Sequence, residues 1–316
     1  MVPLIVLVGP TAVGKTELAV NLALHFGAPI ISADSMQIYR GMDIGTAKPT
    51  AAERKGVPHY LIDLVSPDQP FTVVDYQEHY NQVKSRLDRQ GVMPILTGGT
   101  GLYIRAVTQG FIFPDPPPDP ELRAALRKEA EIKGRAAVYQ RLVELDPVAA
   151  RKIHPQDLKR TLRALEVTIA SGRPFSEQQK AARRELTPDI IYIGLTRARA
   201  ELYERINLRV DRMIAAGLKE EVASLLAEGY GPELPAMQGL GYKELIPVVR
   251  GEMPLTEAVT LLKKRTRHYA KRQETWFRRE PVEKWFLLSS GEEDICYKKI
   301  LQYLEGRIDQ VSNSIK

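Results

Sequence analysis

The chain has 316 residues, enough for one large domain or two of ordinary size, and a formal net charge of +6. A single cysteine, Cys296, excludes an intramolecular disulfide framework, and the five scattered histidines give no spacing typical of a zinc site. No basic segment precedes a long apolar stretch at the start, so we expect no signal peptide, no membrane span and a cytoplasmic protein.

The first predicted elements are a strand at Leu4–Val8 and a helix at Glu17–Phe26, separated by a glycine-containing loop. The loop matches G-x-x-x-x-G-K-[ST], the pattern of phosphate-binding loops, at every fixed position. Its backbone N–H groups and the following helix N-terminus would bind an anion, Lys15 would add a positive charge, and the Thr16 hydroxyl would be a ligand for Mg²⁺. We therefore predict a diphosphate or triphosphate site formed by Gly9, Pro10, Thr11, Ala12, Val13, Gly14, Lys15 and Thr16.

A second apolar run, Ala28–Ala33, predicts a strand that ends at Asp34, the edge of the sheet where ligands bind in such folds. The segment from Ser35 to Pro70 is rich in Gly, Pro and polar residues, which predicts an ordered loop with a short strand at Tyr60–Asp63. A loop of this length is typical of a functional segment.

Helical spacing at Val73–Arg89 is followed by a predicted strand at Met93–Thr97, which leads into Gly98–Tyr103. Strands alternating with helices indicate a parallel sheet with right-handed crossovers. We therefore predict an α/β fold, a parallel sheet flanked by helices like that of the P-loop NTPases.

The proline-rich stretch Phe113–Pro120 predicts a stiff linker and a domain boundary. Asp119 and Asp146 each precede a proline, which is typical of a helix start, and a third helix is predicted from about Gln156 to Gly172. No strand pattern occurs from residue 120 to about residue 187. We predict an all-helical insertion domain at 114–187 within a core formed by 1–113 and 188–316.

The chain then returns to the sheet with a strand at Ile190–Leu195 and a helix at about Arg199–Ala216, one face of which carries Arg205, Arg209 and Arg212. A late helix, Leu261–Arg279, has eight Lys or Arg residues and only one acid, with aromatic residues among them. We expect the polar tail from Asp309 to fray.

Asp34 has two interpretations that its position alone does not separate, a metal-binding acid of a nucleotide hydrolase or kinase and a catalytic base. The next strand ends in Gly98-Gly99-Thr100, where a hydrolase would often have a second acid, so a hydroxyl rather than a carboxylate is available there. Because phosphoryl transfer needs several metal ligands and an acceptor site, the neighbours favour a base.

The arginines have a simpler alternative, which is a solvated basic helix face. Against it, Arg205, Arg209 and Arg212 share a face, and helical spacing puts Arg265, Tyr269, Arg272, Trp276 and Arg279 along one stripe. Basic residues interleaved with aromatics are typical of nucleic-acid contacts. We expect Arg265 and its basic neighbours to bind RNA phosphates. Asp43 and Asp63 are interpreted as structural turn residues.

Several segments together resemble the bacterial tRNA dimethylallyltransferases, and the resemblance covers nearly the whole chain. They are GPTAVGKT at 9–16, DSMQIY at 34–39, GTAKP at 45–49, GGTGLY at 98–103 and KRQ at 271–273. The resemblance implies transfer of a dimethylallyl group from its diphosphate to N6 of the adenosine immediately 3′ of the anticodon.

In that reaction Asp34 would remove the amine proton, while the phosphate loop, Mg²⁺ on Thr16, Thr100 and Arg209 would stabilise the leaving diphosphate. Asp34, Ser35, Met36, Gln37 and Thr100 would contact the extruded base. The resemblance further implies contacts with the anticodon stem-loop from the insertion and the late helix. These are Arg123, Lys159, Arg160, Thr161, Leu162, Arg163, Gln238, Gly239, Leu240, Gly241, Tyr242, Lys243, Lys271, Arg272, Gln273, Trp276 and Arg278.

Two other functions use the same phosphate loop. A small-molecule kinase would turn over ATP, although it leaves the basic aromatic helix unexplained. A non-catalytic RNA-binding protein that uses nucleotide as a switch would bind RNA without changing it. We expect the transferase, acting as a monomer.

Overall fold

A computed structural model of the chain describes residues 2–109, 119–181 and 189–315. These residues fall into two compact units, Met1–Thr108 with Thr187–Lys316, and Gln109–Leu186. Most of the predicted linker, residues 113–118, lies outside the described residues, and so do the predicted boundaries at 113/114 and 187/188.

The strands of the described residues are β1 (Leu4–Val8), β2 (Ile30–Ser32), β3 (His59–Tyr60), β4 (Ile95–Thr97), β5 (Ile190–Arg197) and β6 (Lys284–Leu288). The helices are α1 (Lys15–Phe26), α2 (Ala51–Arg54), α3 (Val73–Arg89), α4 (Gly101–Thr108), α5 (Pro120–Lys133), α6 (Arg135–Leu145), α7 (Pro147–Ala150), α8 (Leu158–Ser171), α9 (Phe175–Ala181), α10 (Arg199–Ala215), α11 (Leu218–Ala227), α12 (Tyr242–Val249), α13 (Leu255–Phe277) and α14 (Glu293–Ile315). A short 3₁₀ helix, Ala236–Gln238, precedes α12.

The first unit is built on a parallel sheet with strand order β3-β2-β4-β1-β5-β6. At its centre, Ile5 of β1 is in register with Ile95 of β4 and with Ile191 of β5. All of β1 is buried because helices cover both faces of the sheet, which explains its unbroken apolar sequence. The predicted α/β fold is therefore confirmed, and the carboxyl ends of β1, β2 and β4 meet at one edge.

Some elements differ from the sequence predictions. The short strand is His59–Tyr60 rather than Tyr60–Asp63, and α2 lies within the predicted loop. The strand β6 and the helix α14 were not predicted, and the expected fraying from Asp309 is wrong because α14 continues to Ile315. Apolar residues at helical spacing, including Cys296, Ile300 and Val311, hold α14 against the core past Asp309.

In residues 119–181 of the second unit, all of the regular secondary structure is helical, as predicted. The carboxylate of Asp119 accepts hydrogen bonds from the first turn of α5, and that of Asp146 accepts one from Ala149 N in α7. The helix α8 begins at Leu158, slightly later than predicted, and stops at Gly172, whose φ of 66° is left-handed. The hydrophobic core of the second unit includes Leu126, Val138, Leu142 and Leu165.

Within the described ranges, no helix combines the length and the apolar character that crossing a membrane requires.

Candidate active site

The phosphate loop joins β1 to α1, and two glycines give it its path. Gly9 has a φ of 150°, and a Cβ there would lie 2.6 Å from the carbonyl oxygen of Leu195 on β5. Gly14 has a φ of 115° directly before α1. Only residues without a side chain fit these positions, so the fixed glycines of the motif have a direct structural cause.

Two arginines, neither of which the sequence analysis connected to the loop, bind its backbone. The guanidinium of Arg197 donates to Val13 O at 2.9 Å, and that of Arg205 donates to Ala12 O at 3.0 Å. Ala12 itself has a left-handed φ of 63°. Because the carbonyl oxygens of Ala12 and Val13 accept these hydrogen bonds, the loop is held in one conformation.

Lys15 is folded onto the loop. Its ammonium donates to Gly9 O at 2.7 Å and to Pro10 O at 2.8 Å. Burial, with a further contribution from the Arg209 guanidinium, lowers the pKa of Lys15 to about 7, and Asp34 opposes this shift. A bound diphosphate would favour the charged ammonium, so anion binding at this site would be coupled to protonation.

The neighbouring Thr16 is exposed at the start of α1 and its side chain lines the same cavity. The described residues contain no group of three or more His, Cys, Asp or Glu side chains that would hold a metal ion. Mg²⁺ commonly binds through one or two protein oxygens, several waters and substrate phosphates, so the Thr16 hydroxyl is the group here that would hold it.

Asp34 lies at the end of β2, beside the loop that follows β4. Its Oδ1 accepts a hydrogen bond from Met36 N at 2.9 Å. Burial raises the pKa of Asp34, while the Met36 N–H, Lys15 and Arg209 each act in the opposite direction. The result is a carboxyl group that is more basic than usual, as a proton acceptor requires.

Thr100 connects the two strand ends. Its Oγ1 accepts from Ser35 N at 2.9 Å and donates to Ser35 Oγ at 3.1 Å, while Thr100 N donates to Ala33 O at 3.0 Å. A Cβ on Gly98 would come within 2.2 Å of the Ala33 backbone, so only glycine permits this approach. Residues 33–35 and residues 98–100 are far apart in the sequence, and they meet because β2 and β4 are neighbours in the parallel sheet.

A cavity of about 1040 Å³ in the first unit is lined by most of the predicted active-site side chains. Lys15, Thr16, Asp34 and Arg209 all contribute to its wall. The cavity therefore brings the predicted phosphate-binding loop and the Asp34 carboxyl group together. The other predicted diphosphate-binding and tRNA-binding residues that line it are Thr11, Ala12, Gly14, Ser35, Met36, Gln37, Gln238, Gly239, Leu240, Gly241, Tyr242, Lys243, Arg272 and Gln273.

The sequence analysis missed how the 43–47 loop of this cavity is fixed. The Glu221 carboxylate accepts from the backbone N–H groups of Asp43, Ile44 and Gly45 and from the Tyr242 hydroxyl. On the same loop, the buried Lys48 is bound by the carboxylates of Asp43 and Asp63. Nothing in the spacing of Glu221 from this loop, more than 170 residues away, pointed to the contact.

The predicted RNA-binding residues of the first unit have different surroundings. Lys271, Arg272 and Arg278 are exposed on or beside α13. In contrast, Tyr242 is fully buried, and Trp276 packs against Gly101 with the Arg105 guanidinium 4.5 Å from its ring centre. Tyr242 is therefore a core residue, and Trp276 is a partly buried residue that packs against the core.

In the second unit, Lys159 and Arg160 are exposed near the start of α8, whereas the side chains of Thr161 and Leu162 are buried. Arg123 and Arg163 both donate to Oε2 of the buried Glu166, at 2.6 and 3.1 Å. Glu166 thus holds two partly exposed guanidinium groups side by side.

Comparisons with known proteins find one family and close relatives along most of the chain. The model of a family described as IPP transferase matches residues 37–280. The tRNA dimethylallyltransferase of Alkaliphilus metalliredigens is 47% identical over 96% of this chain and 97% of its own length. That of Desulforudis audaxviator is 51% identical over 90% of this chain and 91% of its own.

Solved structures are similar over comparable lengths. The full-length tRNA isopentenylpyrophosphate transferase of Bacillus halodurans has a TM-score of 0.74 at 39% identity and covers 99% of both chains. A eukaryotic dimethylallyltransferase acting on tRNA has a TM-score of 0.78 at 28% identity, covering 91% of this chain and 74% of that one. With the fold, the phosphate loop and these matches in agreement, the chain belongs to the IPP transferase family, the family of the tRNA dimethylallyltransferases.

Proposed function

We propose that this enzyme transfers the dimethylallyl group of dimethylallyl diphosphate to N6 of the adenosine immediately 3′ of the tRNA anticodon. The observation that carries the proposal is that Asp34 lines the same cavity as the phosphate loop and Arg209. A base beside an anion site is what alkylation of a weak amine nucleophile with loss of diphosphate requires.

In the proposed step, N6 attacks C1 of the dimethylallyl group while the bond from C1 to the diphosphate oxygen breaks. The amine proton passes to Asp34, whose raised pKa suits it to accept a proton. The electron pair of the broken bond leaves on the diphosphate. Charge therefore grows at the leaving group, and the loop N–H groups, Lys15 and Arg209 would stabilise it.

Thr100 would donate its hydroxyl to the leaving oxygen by rotating away from Ser35 Oγ, the acceptor it now uses at 3.1 Å. The Ser35 N–H bond to Thr100 Oγ1 would keep the hydroxyl in place during this rotation. Mg²⁺ would be held by the Thr16 hydroxyl and the diphosphate oxygens. When bound, the ion would neutralise part of the diphosphate charge.

The acceptor base would be extruded from the anticodon loop into the cavity, at a cost of a few kcal/mol repaid by contacts there. Ser35, Met36 and Gln37 follow Asp34 along the wall. Gln37 accepts from the Ser32 hydroxyl at 3.0 Å, and its amide N–H₂ faces the carbonyl oxygens of Thr46 and Ala47 at 3.4 to 3.5 Å. These contacts would hold Gln37 rigid beside the base.

The tRNA contacts beyond the base would come mainly from exposed cations. In the core unit these are Lys271, Arg272 and Arg278, and in the insertion they are Lys159 and Arg160, together with the partly exposed Arg123 and Arg163 that Glu166 binds. Phosphate contacts of this kind position an RNA without reading its sequence. One chain supplies the phosphate loop, Asp34 and Arg209, so the chemistry needs no second copy, and we propose a monomer acting on tRNA in the cytoplasm.

The direct test is to incubate unmodified tRNA with dimethylallyl diphosphate, Mg²⁺ and the enzyme, and then to analyse the nucleosides by mass spectrometry. We expect N6-dimethylallyladenosine at the position 3′ of the anticodon and one diphosphate released per modified base. Steady ATP turnover with no change in the tRNA would instead support a kinase, and RNA binding without either reaction would support a nucleotide-switched binding protein.

A further inference from the structure

Gln273 on α13 connects two loops of the active site through one side-chain amide. Its Oε1 accepts a hydrogen bond from Thr11 N at 2.8 Å, and its Nε2 donates to Gly99 O at 2.9 Å. The side chain is well buried, with the residue only 5% exposed. A backbone N–H can only donate and a carbonyl can only accept, so these two partners fix which end of the amide faces which loop.

The two loops contribute opposite halves of the proposed reaction. Thr11 belongs to the phosphate loop, which would hold the leaving diphosphate. Gly99 immediately precedes Thr100 and lies against Asp34, the proposed proton acceptor. A Cβ on Gly99 would be 2.7 Å from Gln273 Nε2 and 3.3 Å from Asp34 Oδ2. The amide therefore spans the short gap between the diphosphate side and the proton-acceptor side.

We propose that Gln273 is a positioning residue that fixes the distance between the phosphate loop and the loop carrying Thr100. This inference rests on the proposed transfer reaction and refines it. The family resemblance implies that Gln273 contacts tRNA, but both ends of its amide are hydrogen-bonded inside the protein. Its effect on the reaction would come through the relative placement of donor and acceptor.

The chemistry of this position is demanding because the group must accept at one end and donate at the other. Tyr269 also donates to Gly99 O, but at 3.4 Å, and it does not reach the phosphate loop. A carboxylate would accept from Thr11 N and repel Gly99 O. A neutral carboxylic acid, in contrast, has one C=O and one O–H and would reproduce both hydrogen bonds.

This difference gives a test based on Gln273→Glu and Gln273→Met. The methionine variant keeps the length of the side chain and loses both hydrogen bonds. We expect it to lower kcat by about 10- to 100-fold at all pH values, since small misplacements of reacting groups have effects of this order. For Gln273→Glu we expect a similar loss at pH 8 and a partial recovery as the pH falls and the introduced carboxyl group becomes protonated.

The quantity to compare is the ratio of variant to wild-type kcat between pH 6 and pH 8. Burial raises the pKa of Tyr269, so its hydroxyl stays protonated over this range. Asp34, and Lys15 with a pKa of about 7, titrate in both proteins, so the ratio removes their shared contribution. It should rise several-fold toward pH 6 for Gln273→Glu and stay flat for Gln273→Met. Thr275→Ala, an exposed position on the same helix, serves as the matched control.

Measurements of tRNA affinity and melting temperature complete the experiment. We expect tRNA affinity within a few-fold of wild type, with all proteins folded at the assay temperature. A kcat within twofold of wild type for Gln273→Met, a flat ratio for Gln273→Glu, or a loss of tRNA affinity that accounts for the lost activity would each overturn the inference. If wild-type enzyme transferred no dimethylallyl group, the proposed function itself would fail, which is a separate result.

Discussion

Arg265 on α13 donates a hydrogen bond to Oε1 of Glu244 at 2.7 Å, and the Glu244 side chain is completely buried. The other oxygen of Glu244 accepts from Gly241 N at 2.8 Å and caps α12. Helical spacing put Arg265 in one stripe with Arg272, and the expectation was that both would bind RNA phosphates. The ion pair with Glu244 instead links Arg265 on α13 to α12.

We therefore expect Arg265→Ala to lower the free energy of unfolding by about 2 to 3 kcal/mol, because it leaves a buried carboxylate without its guanidinium. Urea unfolding followed by circular dichroism would measure this. The double variant Arg265→Ala/Glu244→Gln should recover part of the loss, since it no longer buries a charge. Full stability combined with weaker tRNA binding would return Arg265 to the RNA-binding surface.

Arg272→Ala should behave in the opposite way, because Arg272 is exposed on α13. We expect unchanged stability, weaker binding of every substrate tRNA, and a plot of log affinity against log salt that is shallower by somewhat under one unit. Chemistry on bound tRNA should persist. A salt titration of wild type and variant checks this, and an unchanged slope with unchanged affinity would leave Arg272 as a solvated charge.

Trp276→Ala should destabilise the core unit by about 2 to 3 kcal/mol, since the indole packs against Gly101 and beneath Arg105. We expect the salt slope of tRNA binding to stay the same. Melting temperature and tRNA affinity measured on the same samples separate the alternatives. Normal melting with a marked loss of affinity would mean that the indole stacks on RNA instead.

Asp34→Asn should lower turnover by roughly 10² to 10⁴ and leave tRNA affinity within a few-fold. A general base works only when deprotonated, so wild-type kcat/KM should fall as the pH drops through the pKa of Asp34. Because burial raises that pKa, the acid limb should lie above the ordinary range for a carboxylic acid. The pH profile of the residual activity of Asp34→Asn should lack this acid limb. Near-normal turnover by Asp34→Asn would mean that Asp34 is not the base.

Lys15→Ala and Thr16→Ala should weaken the use of dimethylallyl diphosphate, and Thr16→Ala should also reduce the response to Mg²⁺. RNA affinity should not change, because neither side chain is expected to touch RNA. Initial rates over donor and Mg²⁺ concentrations would test this, with Thr275→Ala as a control. ATP hydrolysis that continues regardless of prenyl donor would contradict the assignment.

Sequence reasoning identified the phosphate loop, Asp34 and the alternating strands because local patterns determine them. It did not find β6, whose five residues KWFLL include only two buried apolar side chains at an edge of the sheet. It also did not find Arg197 or Glu221, which act on loops far away in sequence. Hydrogen bonds between residues so far apart leave no repeating pattern in the sequence, so they become visible only in the folded structure.

The order of the strands in the sheet has a consequence for synthesis on the ribosome. The strands β1, β2, β3 and β4 all lie in the first 97 residues, and β1 pairs there with β4. The neighbour of β1 on its other side is β5, which begins only at Ile190. The whole helical insertion is therefore translated while β1 remains an open, apolar edge, and such edges promote aggregation of partly made chains. We expect nascent chains halted between residues 100 and 190 to depend on chaperones much more than those extended beyond β6.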